Sequence, residues 1–186
     1  PIAERLGRMV EARELWEEVR DTPGKGAPAW GPLQRIYEGE EDWAALGSLF
    51  GRLAALTDEK HRVSLYLEAS EAWVRAGDAE KARSMMRAAA EVAPNNVDAL
   101  LGLAVFRRED NDSNGELGFL WQAYIGAPDE CGFDVLERLG QLAWEGDQRE
   151  RAIKVWFSLL RRLPEVGWPQ QLARSTECVG EDRREA

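Results

Sequence analysis

The chain has 186 residues, 44% hydrophobic and 31% charged, a composition that builds one or two ordinary domains and needs neither disulfide nor metal to fold. Thirty-four acidic against 24 basic side chains leave a net charge of −10, which repels phosphate backbones and anionic membrane surfaces and argues against nucleic acid as a partner and against membrane insertion. Two cysteines, Cys131 and Cys178, and one histidine, His61, cannot make a Cys/His zinc site or a disulfide framework, and no apolar run nears the ~20 residues of a membrane span.

The negative charge is concentrated in the middle, where residues 63–130 hold 6 basic and 12 acidic side chains. Arginine outnumbers lysine 20 to 4, a bias typical of GC-rich bacterial genomes. Pro1 is not an initiating methionine, so the chain reads as part of a longer protein, whose missing signal segment carries little weight; a cytoplasmic location is the expectation.

In chain order, the spacing of apolar residues predicts helices throughout. A leading pair over about 1–24 has a first helix at Ile2–Met9 and a second marked by Ala12, Trp16 and Val19. The next pair, about 27–62, carries Trp30, Leu33 and Tyr37, then Leu46, Phe50 and Leu53, with Thr57-Asp58 as the following cap. In 63–96, Tyr66, Ala69, Ser70 and Trp73 share one helical stripe, Gly77-Asp78 breaks the run, and Ala82, Met86 and Ala89 form a second stripe stopped by Pro94. In 97–130, Leu100, Leu103-Ala104, Leu120, Ala123 and Pro128 follow the same order. There Arg107 replaces an aromatic and Glu116 a small residue, and Asn111–Gly115 reads as a longer turn capped by Ser113 or Asn114. In 133–166 the pattern returns with Leu136, Leu139-Gly140, Ala143, Ala152, Trp156, Leu159 and Pro164, and 168–179 predicts a terminal helix. Neither helix of such a pair can cover its own stripe, so neighbouring pairs must stack.

The spacing of Pro94, Pro128 and Pro164, together with Tyr66, Ala69-Ser70, Trp73, Ala82, Met86 and Ala89, resembles the 34-residue tetratricopeptide repeat. The resemblance covers nearly the whole chain and implies an all-α fold, a right-handed α-solenoid of antiparallel helix pairs, with 168–179 as its capping helix. It also implies that the first helices of successive pairs line a concave groove. The residues turned away from the buried stripe are then candidates for partner binding: Arg35 and Glu38; Leu67, Glu71, Val74 and Arg75; Leu101, Val105 and Arg108; Glu137, Gln141 and Trp144.

Leu67, Leu101 and Val105 can instead pack against the neighbouring pair, and Trp144 suits either role. Six of the other seven tryptophans, Trp16, Trp30, Trp43, Trp73, Trp121 and Trp156, fall at core positions. Glu68, Glu71, Asp98, Asp134 and Glu137 favour a protein or peptide partner with basic residues beside apolar anchors. Glu68, Gly102 and Arg138 stand where the chaperone-tail-binding subset of these repeats carries polar amides, which argues against that ligand.

No phosphate-binding glycine loop, nucleophile elbow or His-Glu-x-x-His motif is present, so no enzyme activity and no cofactor is expected. His61, between Lys60 and Arg62, reads as solvated, and Asn111-Asp112-Ser113 as a turn, although it matches a glycosylation acceptor. The expected function is a scaffold for a bacterial motility, polarity, pilus or secretion machine, some of whose repeat proteins bind small GTPases. The alternative is a module that self-assembles through its outer helices or termini.

Overall fold

The computed structural model of the chain describes residues 8–22 and 27–162, and among these every regular element is helical. The helices are α1 (Met9–Asp21), α2 (Trp30–Gly39), α3 (Trp43–Leu56), α4 (Glu59–Arg75), α5 (Ala79–Val92), α6 (Val97–Glu109), α7 (Ser113–Gly126), α8 (Phe133–Glu145) and α9 (Arg149–Arg162). Short 3-10 turns occupy Ala27–Ala29 and Pro128–Glu130. Residues 2–7 of the helix expected over Ile2–Met9, Pro164 and the terminal helix at 168–179 lie outside the described residues, and Met9 opens α1 instead. The chain divides into two compact units, Pro1–Pro94 and Asn95–Ala186.

One turn recurs four times. Glu41, Gly77, Asn111 and Asp147 take left-handed conformations, with φ of 54°, 78°, 58° and 57°. Each ends a first helix in the same way. The residue after it donates its N–H back across the turn, from Asp42 to Tyr37 O, Asp78 to Trp73 O, Asp112 to Arg107 O and Gln148 to Ala143 O, at 2.8–3.0 Å. The left-handed residue itself donates to the carbonyl three residues back. This is a Schellman closure, which satisfies carbonyls the helix end would otherwise leave bare.

The residue that completes the closure also starts the next helix. Asp42, Asp78 and Asp112 accept from the N–H groups of Ala45, Lys81 and Gly115 at 2.9–3.0 Å. The segment Asn111–Gly115 is therefore no longer than the other turns, and its cap is Asp112 rather than Ser113 or Asn114. Asn111 tolerates the left-handed region, which leaves Asp112 at the capping position. At the far end of the pairs, Ala93 and Ala127 leave the helical region (φ −134°, ψ 87° and φ −148°, ψ 75°), as residues that precede a proline do.

In the first unit the core gathers Ala12, Leu33, Ile36, Tyr37, Leu49 and Ala69. Arg13 ties α1 to the α2–α3 turn through Glu40 (2.7 Å) and Asp42 (2.9 Å). Ser70, fully buried, donates its hydroxyl to the Ala82 carbonyl at 2.9 Å, so its polar group is satisfied where α4 meets α5. In the second unit Leu100, Leu120, Leu136, Leu139, Val155 and Trp156 form the centre. Gly140 lies directly under the Trp156 indole, where a methyl group would collide with the ring. Arg162 closes this unit by donating to the carbonyls of Cys131 and Pro128.

Two substitutions test the repeated turn. Glu41→Gly removes a left-handed strain of about 1–2 kcal/mol and adds about 0.5–1 kcal/mol of unfolded-state entropy, so urea denaturation should show a small net gain. Gly77→Ala, at φ 78° with open space around it, should lose about 1 kcal/mol through backbone strain alone. In the core, Gly140→Ala should lose about 1–3 kcal/mol by overpacking against Trp156.

Candidate protein-binding groove

Within the first unit, α2, α3 and α4 enclose an open groove of about 420 Å³. Its apolar wall comes from Trp43, Leu46 and Phe50 of α3 and Ala72 of α4. Gln34 and Glu38 of α2 and Glu68, Glu71 and Arg75 of α4 form the polar rim. Helical spacing sets this division: 34 and 38, like 68, 71 and 75, recur at three or four residues and share a face.

Arg75 lies in the last turn of α4 and reaches two of these groups. It pairs with Glu71 at 2.5 Å and its guanidinium sits 4.8 Å from the centre of the Trp43 ring, a cation–π geometry. Gln34 donates to Glu38 at 3.0 Å. Burial raises the Glu68 carboxyl above its ordinary range, and the negative charges of Glu71 and Glu38 push it further in the same direction. The rim thus holds three carboxylates against one cation.

Of the residues the sequence marks for binding in this unit, the structure brings Glu38, Glu71 and Arg75 into the groove lining. Arg35 is exposed, Leu67 is half-buried and Val74 is 54% exposed, and none of the three lines the groove. Trp43, expected in the core, is a half-buried wall residue. Gln34, which no sequence argument singled out, stands at the place occupied by the small residues Ser70 and Gly140 in other first helices. That departure was the available signal.

The second unit uses the equivalent residues differently. Glu116 of α7 is buried, with 1% of its side chain exposed, at the register position that holds Ala82 and Ala152 in other second helices. Arg108 of α6 donates to it at 2.6 Å, and Arg138 of α8 donates twice, at 3.0 and 2.8 Å. Burial opposes ionisation of Glu116, but the hydrogen bonds from Arg138 and Arg108 outweigh it and hold the carboxyl below its ordinary range. Arg108 is therefore an internal ion-pair partner with half of its side chain still in solvent. Arg107, at the aromatic position, pairs with Asp112 at 3.4 Å.

Leu101 packs against the core of this unit, and Val105 is 46% exposed. Glu137 is exposed, and Gln141 donates to Glu145 at 3.0 Å. Trp144 also packs on the core, with its ring 5.6 Å from Trp156 and Arg149 5.6 Å from its centre.

The paired helices superpose on known structures. MamA superposes with a TM-score of 0.57 at 12% identity, over 86% of this chain and 91% of that chain. YrrB, a TPR protein with an unusual peptide-binding site, gives 0.55 at 14%, over 88% and 82%. The chain has the tetratricopeptide-repeat fold. BtubC (BKLC) from P. vanneervenii gives 0.54 at 15%, over 91% and 77%. No family model and no curated protein matches the sequence, so the likeness lies in the repeat fold itself. Among the described residues no helix is long and apolar enough to cross a membrane.

The Glu116 cluster makes a pH-dependent contribution with a defined sign. Its carboxyl is depressed in the folded chain from an ordinary value of 4.5, so its stabilisation is complete above that range and is lost as pH falls through the folded value. Glu116→Gln should therefore lower stability at pH 7 by about 1–3 kcal/mol. The difference from the parent should shrink progressively in denaturant titrations below about pH 4.5.

Proposed function

We propose that this chain is a non-catalytic protein-interaction scaffold that takes an extended or helical segment of a partner into the groove formed by α2, α3 and α4. The observation that carries this reading is the composition of that groove: the half-buried Trp43, above a floor of buried Leu46, Phe50 and Ala72, stands beside three carboxylates and one arginine. Apolar anchors provide most of the affinity in such sites, and surrounding charges select the partner and speed its encounter. A segment with basic residues next to apolar ones is the complement.

The repeat fold supports the reading, and YrrB, with its peptide-binding site, supports a peptide as the ligand. The resemblance of the repeats further supports a place in a larger bacterial assembly in the cytoplasm. Arg35, Leu67, Val74, Leu101, Val105, Arg108, Glu137, Gln141 and Trp144 are proposed as secondary contacts, of which Val74 and Val105 are the exposed large hydrophobic residues.

Selection of random 12-residue peptides displayed on phage tests this function. Peptides enriched on the chain should combine Leu, Phe or Trp with Lys or Arg. Their binding should fall at least about tenfold on Glu38→Lys/Glu71→Lys, a surface change expected to leave the melting temperature within a few degrees. Equal binding to the doubly substituted chain, or no enrichment at all, would rule out the groove. A concentration-dependent rise in sedimentation coefficient would point instead to self-assembly.

A further inference from the structure

We infer that the groove of the first unit contains a cation subsite that the chain fills with its own Arg75, and that a partner's Arg or Lys side chain binds by displacing it. This rests on the reading that the groove takes a peptide, and it adds which side chain is recognised and what must move.

Arg75 already makes the two contacts a docked cation would make. Its guanidinium lies over the face of Trp43, 4.8 Å from the ring centre, and is paired with Glu71 at 2.5 Å. A planar guanidinium suits this combination of an aromatic face and a carboxylate. The occupant is weakly held. Half of the Arg75 side chain is in solvent and so is most of that of Glu71, and exposed pairs at this helical spacing contribute little. At the last turn of α4, Arg75 can also swing into solvent and still interact favourably with the helix C-terminus.

The charge balance favours a second cation. With Arg75 in place, Glu38, Glu68 and Glu71 still outnumber it, and the charges acting on Glu68 are those of Glu71 and Glu38, both negative. An incoming Arg can use the Trp43 face and Glu71 while Arg75 moves out, with Glu68 and Glu38 adding attraction. The volume of about 420 Å³ falls in the roughly 300–1,000 Å³ range of ligand sites, which leaves room for an apolar neighbour of the cation beside the Trp43 ring.

Displacement and direct contact make opposite predictions for Arg75. If Arg75 grips a partner, Arg75→Ala weakens binding; if it is a stand-in, Arg75→Ala strengthens binding. Three fluorescein-labelled synthetic peptides of alternating leucine and arginine provide the probe: the parent, one with citrulline at every arginine, and one with glutamate there. Citrulline keeps the shape of arginine without its charge.

Fluorescence polarisation at 150 mM salt should show the arginine peptide binding about tenfold tighter than the citrulline peptide, and the glutamate peptide not at all. Arg75→Ala should tighten the arginine peptide about three- to tenfold. Trp43→Leu, which changes no charge, should weaken it about fivefold and so separates the subsite from attraction to an acidic protein in general. The Trp43 indole N–H resonance should shift with the arginine peptide, and thermal melts establish that each variant is folded.

Weaker binding by Arg75→Ala, or an unchanged affinity in Trp43→Leu, overturns the inference. Arginine and citrulline peptides that bind equally, and both lose affinity in Glu38→Lys/Glu71→Lys, overturn it while the groove remains a peptide site. Failure of every peptide to bind removes both readings.

Discussion

The structure depends on one constraint: a helix pair of this length cannot bury its own apolar stripes, so each pair must be closed tightly enough to present them to the next. The four Schellman turns at Glu41, Gly77, Asn111 and Asp147 provide that closure with the same backbone hydrogen bonds each time. Small residues then let the helices approach. Gly140 under Trp156 and Ser70 against the Ala82 carbonyl are two solutions to the same problem, one purely steric and one with a buried hydroxyl satisfied by backbone.

Within this frame, one register position decides how each unit treats charge. Ala82 and Ala152 keep the helix contact apolar, whereas Glu116 brings a carboxylate into it and draws in Arg108 and Arg138 from two first helices. A buried carboxylate needs such partners, because desolvation would otherwise drive it to its neutral form. Arg108, which the repeat pattern assigns to a binding surface, thus also pairs inside the second unit while half of its side chain stays in solvent. In the first unit, Gln34 and the acidic residues of α2 and α4 leave the rim negative, with Arg75 as its one cation.

The fold was largely legible in the sequence. Proline spacing, the Leu139-Gly140 pair and the small residues at Ala82 and Ala152 are local signals, and local signals survive without knowledge of neighbours. The turn was only partly legible. Gly77 advertises a left-handed residue, but Glu41 and Asp147 do not, because there the closure is imposed by the helices on either side. The groove was legible in Glu38, Glu71 and Arg75, which helical spacing places on one face. It was hidden in Trp43, since a tryptophan at a core register position gives no sign that part of it remains accessible.

The sequence by itself therefore determined the helical repeats and those stops that a glycine or proline marks, through residue preferences that act over three to five positions. Tertiary structure alone decided which charges are available. Arg108 and Arg138 meet Glu116 from helices 8 and 22 residues away in the chain, and Arg75 meets Trp43 from another helix. Whether a charged side chain faces a partner or its own protein depends on distances across packed helices, and periodicity along one helix does not contain them.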